Sequence, residues 1–170
     1  MDRFIADLHL GDKKNCKRRG FNNLIEMHDK IVKEWNIVTS DEDNVFLLGD
    51  VAVDPKYYPI LKKLNGNIYV LLGNHEKIEF ITELTKYVKG MTGLYKYSNE
   101  IYLSHCPVHE CQIGTKVNLN IHGHIHKNNI TAYMWDYNKK EDKEIPHPNY
   151  INVSVDNIGY TPLTLNQLTR

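Results

Sequence analysis

Five short clusters of oxygen and imidazole side chains constrain this chain more than any other feature of its sequence. They are Asp7-Leu8-His9, Gly49-Asp50, Gly73-Asn74-His75-Glu76, His105 and Gly123-His124-Ile125-His126. Apolar runs at Arg3 to Ala6, Asn44 to Leu48 and Asn67 to Leu72 lead into the first three, and Ile101 to Leu103 and Val117 to Ile121 lead toward the last two. Runs this short, bounded by glycine-containing turns, read as buried strands. Functional groups gather where strands end, because the loops there converge while the strands hold them rigidly.

Between the first two strands, Leu24, Ile25, His28, Ile31, Val32 and Trp35 recur at three- and four-residue spacings, which predicts an amphipathic helix and hence a β-α-β unit. Pro55 to Leu64 and Lys77 to Val88 read as two further helices, the first capped by Asp54 with proline at its first position. Beyond Gly93 the pattern turns to strand. A hairpin is expected from Leu94 to Tyr97 and Ile101 to Leu103 around Ser98-Asn99-Glu100, with strands at Val117 to Ile121, Ile130 to Tyr137 and Tyr150 to Val155. The charged, proline-containing stretch Asn138 to Pro148 reads as an exposed loop. With 170 residues, 41% of them apolar, the expectation is one α/β domain over residues 1–170 with a single sizeable core.

The 21 basic and 21 acidic residues balance, so no global field holds the chain on a nucleic acid or an anionic membrane. An anionic substrate must be drawn in locally. No apolar run approaches the length of a membrane span and no leader pattern opens the sequence, so a soluble, cytoplasmic protein is expected, in the host cytoplasm if a phage encodes it. Cys16, Cys106 and Cys111 are odd in number and lack paired spacing, which points to reduced thiols; Cys106, although next to His105, is read as a spacer.

Asp7 and His9 lie two apart, as do His124 and His126, a spacing that presents both side chains on one side of an extended chain end. Oxygen and imidazole donors without thiolate suit manganese, iron, zinc or nickel rather than a structural zinc finger. Each cluster alone is commonplace. Together and in this order they resemble the calcineurin-like metallophosphoesterase superfamily, whose motifs run D-x-H, G-D, G-N-H-[DE], a later histidine and G-H-x-H. The stretches RRGFNNLIEMHDKIVKEWNIV and INVSVDNIGYTPLTL also look like a small single-domain bacterial and phage subgroup of it.

The resemblance implies a four-layer α/β/β/α sandwich of two mixed β-sheets flanked by helices, and two divalent metal ions, manganese foremost with iron, zinc and nickel as alternatives. It implies that Asp7, His9 and His126 hold one ion, that Asn74, His105 and His124 hold the other, and that Asp50 bridges them. Two such ions about 3.5–4 Å apart activate a bridging hydroxide for in-line attack on a phosphoester. His75 would then serve as the general acid at the leaving oxygen, with Glu76 as support. His28 is expected packed on its helix face, and His109 and His147 are ordinary loop residues; His122 is left open as a residue supporting the site.

Lys13, Lys14, Lys17, Arg18 and Arg19 form a basic run directly after the first cluster, most of it read as solvated surface. The subgroup carries an arginine just before an aromatic here, and this chain departs from it with Gly20 where proline is usual, so Arg18 and Arg19 both stand open. Arg19 is taken as the residue that grips a substrate phosphate, since a guanidinium matches phosphate geometry. The expected activity is a phosphodiesterase acting on a small or nucleotide-like substrate, without a stable nucleic-acid partner and without a membrane. The alternatives are a phosphomonoesterase (a protein or small-molecule phosphatase), a nuclease and a non-catalytic metal-binding scaffold.

Overall fold

The computed structural model describes residues 1–114, 116–136 and 139–169. The chain opens with β1 (Asp2–Ile5), α1 (Lys13–Arg18) and α2 (Leu24–Val38), followed by β2 (Asn44–Leu48), β3 (Asn67–Leu71), α3 (Ile81–Leu84) and β4 (Gly90–Thr92). The second half comprises β5 (Tyr95–Lys96), β6 (Ile101–Leu103), β7 (Leu119–His122), β8 (Thr131–Asp136), β9 (Glu141–Pro146) and β10 (Tyr150–Asn152). It ends with α4 (Val155–Ile158), β11 (Leu163–Thr164) and α5 (Leu165–Leu168).

Two mixed sheets face each other, one ordered β11-β1-β2-β3-β4 and one β10-β7-β6-β5. In the first, β1 through β4 are parallel and β11 is antiparallel; in the second, β10, β7 and β6 are parallel and β5 is antiparallel. The period-two alternation of strands divides the core. Ile5, Val45, Leu47, Ile68 and Val70 point to one face, where Met27, Ile31 and Trp35 of α2 cover them. Phe4, Ala6, Leu48 and Leu71 point to the other, against Ile101, Leu103 and Ile121 of the second sheet and Val153 just beyond β10. The mixed two-sheet architecture with helices is as the resemblance implies.

α2 begins at Leu24 because Asn23 caps it, its side chain accepting from the backbone N–H of Glu26. Its buried face is Met27, Ile31 and Trp35, whereas Ile25 is exposed. The basic run forms the six-residue α1, capped by Asp12.

Four expectations need correction. Pro55–Lys63 is a 3-10 helix, since Pro59 inside it removes an N–H and crowds the preceding turn. Lys77 to Val88 is not one helix but a 3-10 turn, Ile78–Phe80, running into α3, after which the Thr85 hydroxyl donates to the Thr82 carbonyl and competes with helical bonding. The predicted loop after β8 contains β9, which pairs antiparallel with β8 as a separate ribbon; Tyr137 and Asn138 lie outside the described residues. The last predicted strand stops at Asn152, and α4 starts at Val155.

Candidate metal centre and active site

β1 and β2 end side by side, and the chain leaves each through a turn that only a strained backbone can make. Asp7, His9, Asp50, His124 and His126 all have positive φ, between 50° and 71°. The left-handed region is uncommon for residues with a Cβ and persists where the surroundings over-determine it. The bonds doing so are present: Asp7 N–H donates to Gly49 O and His9 N–H to Asp50 O, while the His124 N–H donates to both oxygens of Asp7, at 3.1 and 3.0 Å. Gly123 is required beside them, because a Cβ there would press on Ala6 and on Asp7 Oδ2.

Two donor sets result. Asp7, His9 and Asp50, all buried, bring ligand atoms within 4.8 Å of one another. Among the described residues His9 Nε2 is buried without a hydrogen-bond partner, 3.3 Å from Asp50 Oδ2. The His126 ring stacks on His9 at 5.1 Å between centroids. In the second set, Asn74 Oδ1 lies 2.9 Å from His105 Nε2 and 2.9 Å from His124 Nδ1, and these two nitrogens are 3.2 Å apart. His105 Nδ1 donates to Leu48 O at 2.8 Å, the tautomer that in a neutral ring leaves the lone pair on Nε2. Three donor atoms converging within 3.2 Å of one another, beside a buried His9 nitrogen that has no hydrogen-bond partner among the described residues, fit a cation.

Asp50 belongs to both sets, with Oδ2 toward His9 and Oδ1 3.4 Å from His105 Nε2. Burial sets the electrostatics. It pushes Asp7 up to about 6, helped by Asp50, and His9 down to about 4. It lowers His124 as well. A divalent cation reverses the balance for the carboxylates by supplying the opposite charge.

His75 stands at the mouth, half exposed, its Nε2 4.0 Å from Asp50 Oδ2 and its backbone N–H donating to Asp50 Oδ1. Glu76 turns inward and accepts from the backbone N–H of Gly73, Asp50 and Val51 at 2.6, 3.0 and 2.8 Å, tying two clusters together. Cys106 Sγ falls within the same 4.8 Å span as His105 and His124. Partial desolvation, with Asp50 and Asp7, pushes its thiol up and away from thiolate.

Arg19 does not face the site. Its side chain is 1% exposed, and each guanidinium N–H has a partner: Asp156, Asp7 O, Leu8 O and, weakly, Met27 Sδ. Arg18 is 44% exposed and its Nη2 lies 2.8 Å from His126 Nδ1. The order of the two is set by α1, which buries the residue at its C-cap beneath the Asp7 turn and leaves the one before it outside.

Asp156 was not anticipated. It sits 2.8 Å from His126 Nδ1, held by Arg19 and Ser154. Burial acts to raise its carboxyl, but the bonds from His126 and Arg19 outweigh that and hold it well below the ordinary range. Its place inside INVSVDN was the available signal. The other histidines serve locally: His28 accepts from Gly11 N–H, His109 from Cys111 N–H and His147 from Asn149 N–H. His122 is buried against Tyr150, bonded to Gly123 O, and lowered to about 4 by burial.

Two mixed sheets with donor sets that share one carboxylate at their strand ends are the architecture of the metallophosphoesterase class. Comparison with known proteins agrees: residues 3–161 match the calcineurin-like phosphoesterase family, and the chain belongs to it. It is 30% identical over 175 residues to Uncharacterized protein MJ1445 of Methanocaldococcus jannaschii, spanning 98% of this chain and 88% of that protein. It is also 30% identical over 79 residues to Gene 66 protein of Mycobacterium phage L5, spanning 43% of this chain and 38% of that one. The solved structure of AQ665 from Aquifex aeolicus, a protein of unknown function, shares the fold with a TM-score of 0.70 at 23% identity, over 98% of this chain and 96% of that chain. Membership carries the class of reaction, metal-dependent hydrolysis of a phosphoester.

Proposed function

We propose that this chain, read as one domain over residues 1–170, is a dinuclear phosphodiesterase acting on a small, nucleotide-like phosphodiester, with manganese as its first cation. The observation that carries the two-cation reading is the Asp50 carboxylate, one oxygen 3.3 Å from His9 Nε2 and the other 3.4 Å from His105 Nε2. Asp7, His9 and His126 would hold one cation and Asn74, His105 and His124 the other, with Asp50 common to both. Bound there, the cations make a nucleophile available at neutral pH and neutralise charge on the phosphoryl group.

The protein groups divide the remaining work. Glu76 and the N–H groups of His75 and His124 keep the ligand carboxylates in place before substrate arrives. His75, at the solvent edge of Asp50, gives a proton to the leaving oxygen. Arg18 takes over the phosphate grip first expected of Arg19, since its guanidinium is the exposed one of the pair. The mixture of carboxylate, amide oxygen and imidazole supports manganese.

A diester is favoured because Asn74 and His75 are exposed and, among the described residues, no inserted segment closes over them. The balanced charge speaks against a long nucleic-acid groove. Three unpaired cysteines and, among the described residues, no helix long and apolar enough to cross a membrane support a cytoplasmic setting.

The test is a manganese-supported panel of bis(p-nitrophenyl) phosphate, p-nitrophenyl phosphate, a cyclic nucleotide, a dinucleotide and short RNA and DNA. The expected ranking in kcat/KM puts small diesters first. Monoesters first would make the chain a phosphatase, and a protein that retains no metal and turns over none of them would be a scaffold.

A further inference from the structure

His126 presents a conflict on a single nitrogen. Its Nδ1 lies 2.8 Å from Asp156 Oδ2 and 2.8 Å from Arg18 Nη2. An imidazole nitrogen carries either a proton or a lone pair, so Nδ1 can donate to the carboxylate or accept from the guanidinium, not both. The choice reaches across the ring. If Nδ1 carries the proton, Nε2 keeps its lone pair for a cation; if Nδ1 accepts from Arg18, the neutral ring is protonated at Nε2 and ligation through that atom is lost.

We infer that Asp156 is the positioning residue of His126, fixing the tautomer that frees Nε2 and thereby completing the cation site of Asp7 and His9. This rests on the two-cation reading above. The Asp156 side chain is 1% exposed, and Arg19 bonds to both of its oxygens at 3.2 and 3.0 Å. The same guanidinium donates to Asp7 O at 2.7 Å and Leu8 O at 3.0 Å, so the orienting carboxylate is tied to the backbone of the first ligand turn. The rest of the segment reinforces it. Asn152 and Asn157 both donate side-chain N–H groups to the carbonyl of His126, at 2.7 and 2.8 Å, where φ is 52°. Backbone bonds between Ala6 and both Val153 and Val155 dock this segment beside the end of β1.

Residues 152–157 therefore hold one ligand by ring and by backbone. A carboxylate on the far nitrogen of a ligating histidine fixes its orientation and raises its basicity, and loss of such a group costs about 10- to 100-fold in metal affinity. Arg18 Nη2 also lies 3.4 Å from Asp156 Oδ2, so the same carboxylate holds the exposed guanidinium beside this site.

The experiment compares the full-length wild type with Asp156→Asn. In the variant an NH2 in the place of Oδ2 donates to Nδ1 and reverses the tautomer at constant size, while the amide oxygen in the place of Oδ1 keeps the bond from Arg19 Nε and the bond from Arg19 Nη2 is given up. Manganese binding to metal-stripped protein is measured by calorimetry, and the His126 tautomer in that state by long-range proton–nitrogen imidazole spectra. The expected result is one of two sites weakened about 10- to 100-fold, the other unchanged, and His126 moved from the Nδ1–H to the Nε2–H form. Equal weakening of both sites, no weakening, or an unmoved tautomer would overturn the proposal. Should the variant fold poorly, Asp156→Ala combined with Arg18→Ala removes both competitors for Nδ1. Its affinity at that site is expected to fall between wild type and Asp156→Ala alone, and the absence of recovery counts against the proposal. A wild type that binds no manganese would overturn the two-cation reading, and the inference with it.

Discussion

The two donor sets around Asp50 are built by different means. Asp7, His9 and His126 rest on a buried charged framework, in which Arg19 pins the carbonyls of Asp7 and Leu8 while Asp156 orients the histidine. Asn74, His105 and His124 rest mainly on backbone and loop: His105 is oriented by the Leu48 carbonyl, and the Asn74 loop by Glu76 accepting from Gly73 N–H. The first set is bound to the fold through long-range ion pairs; the second lies closer to solvent. Damage to the first should therefore cost stability as well as metal, whereas damage to the second should cost metal alone.

The largest effect is expected at the residue common to both sets. Asp50→Asn should abolish metal-dependent turnover, a greater loss than the roughly 10- to 100-fold typical of groups that only support a ligand, as steady-state kinetics with excess manganese will show. His75→Ala tests the opposite extreme, a group at the site that belongs to neither set. It should leave both cations bound, by elemental analysis, while lowering kcat by about 10²- to 10⁴-fold on diesters with poor leaving groups and much less on nitrophenyl esters.

The two neighbouring arginines separate framework from mouth. Arg19→Ala leaves Asp156 buried without its main partner and should destabilise the fold by about 3–5 kcal/mol in chemical denaturation. Arg18→Ala should leave stability nearly unchanged and raise KM for the diester roughly tenfold or more, the scale of one hydrogen bond to a charged group. Equal loss of stability in the two variants would erase the distinction.

The smallest expected effect is on pH dependence. Burial raises Asp7 to about 6, so protons compete with cations for that carboxylate as pH falls through about 6. Manganese affinity in the Asp7 set should fall by up to roughly tenfold per pH unit below that point. Burial moves His124 the opposite way, below the ordinary histidine range, so protons compete less with a cation for its ring. Calorimetry between pH 5 and 8 should resolve one pH-sensitive site and one less sensitive site.

How much of this was readable in the chain follows the same division. The candidate ligands announce themselves locally, since each lies at the end of an apolar run and beside glycine or a second donor, and the structure brings those runs' ends together. The framework does not. Arg19 and Asp156 are 137 residues apart, and nothing in the spacing of either tells a buried brace from a solvated charge. The left-handed backbone at Asp7, His9, Asp50, His124 and His126 is likewise invisible, because these residue types carry no glycine to advertise it. β9 was missed because its sequence, EDKEIP, is charged and exposed along most of its length, with no apolar alternation to mark a strand. The split at Ile81 was missed because periodicity reports which residues could face inward, not whether the helix between them persists.

The central claim is that one carboxylate joins two cations. Electron paramagnetic resonance of the manganese-loaded chain tests it most directly, read alongside elemental analysis of wild type and Asp50→Asn. The account predicts two manganese ions per wild-type chain with the exchange-coupled spectrum of a bridged pair, and loss of that coupling in Asp50→Asn. A single uncoupled ion in the wild type, or a coupled pair that survives the substitution, would contradict it.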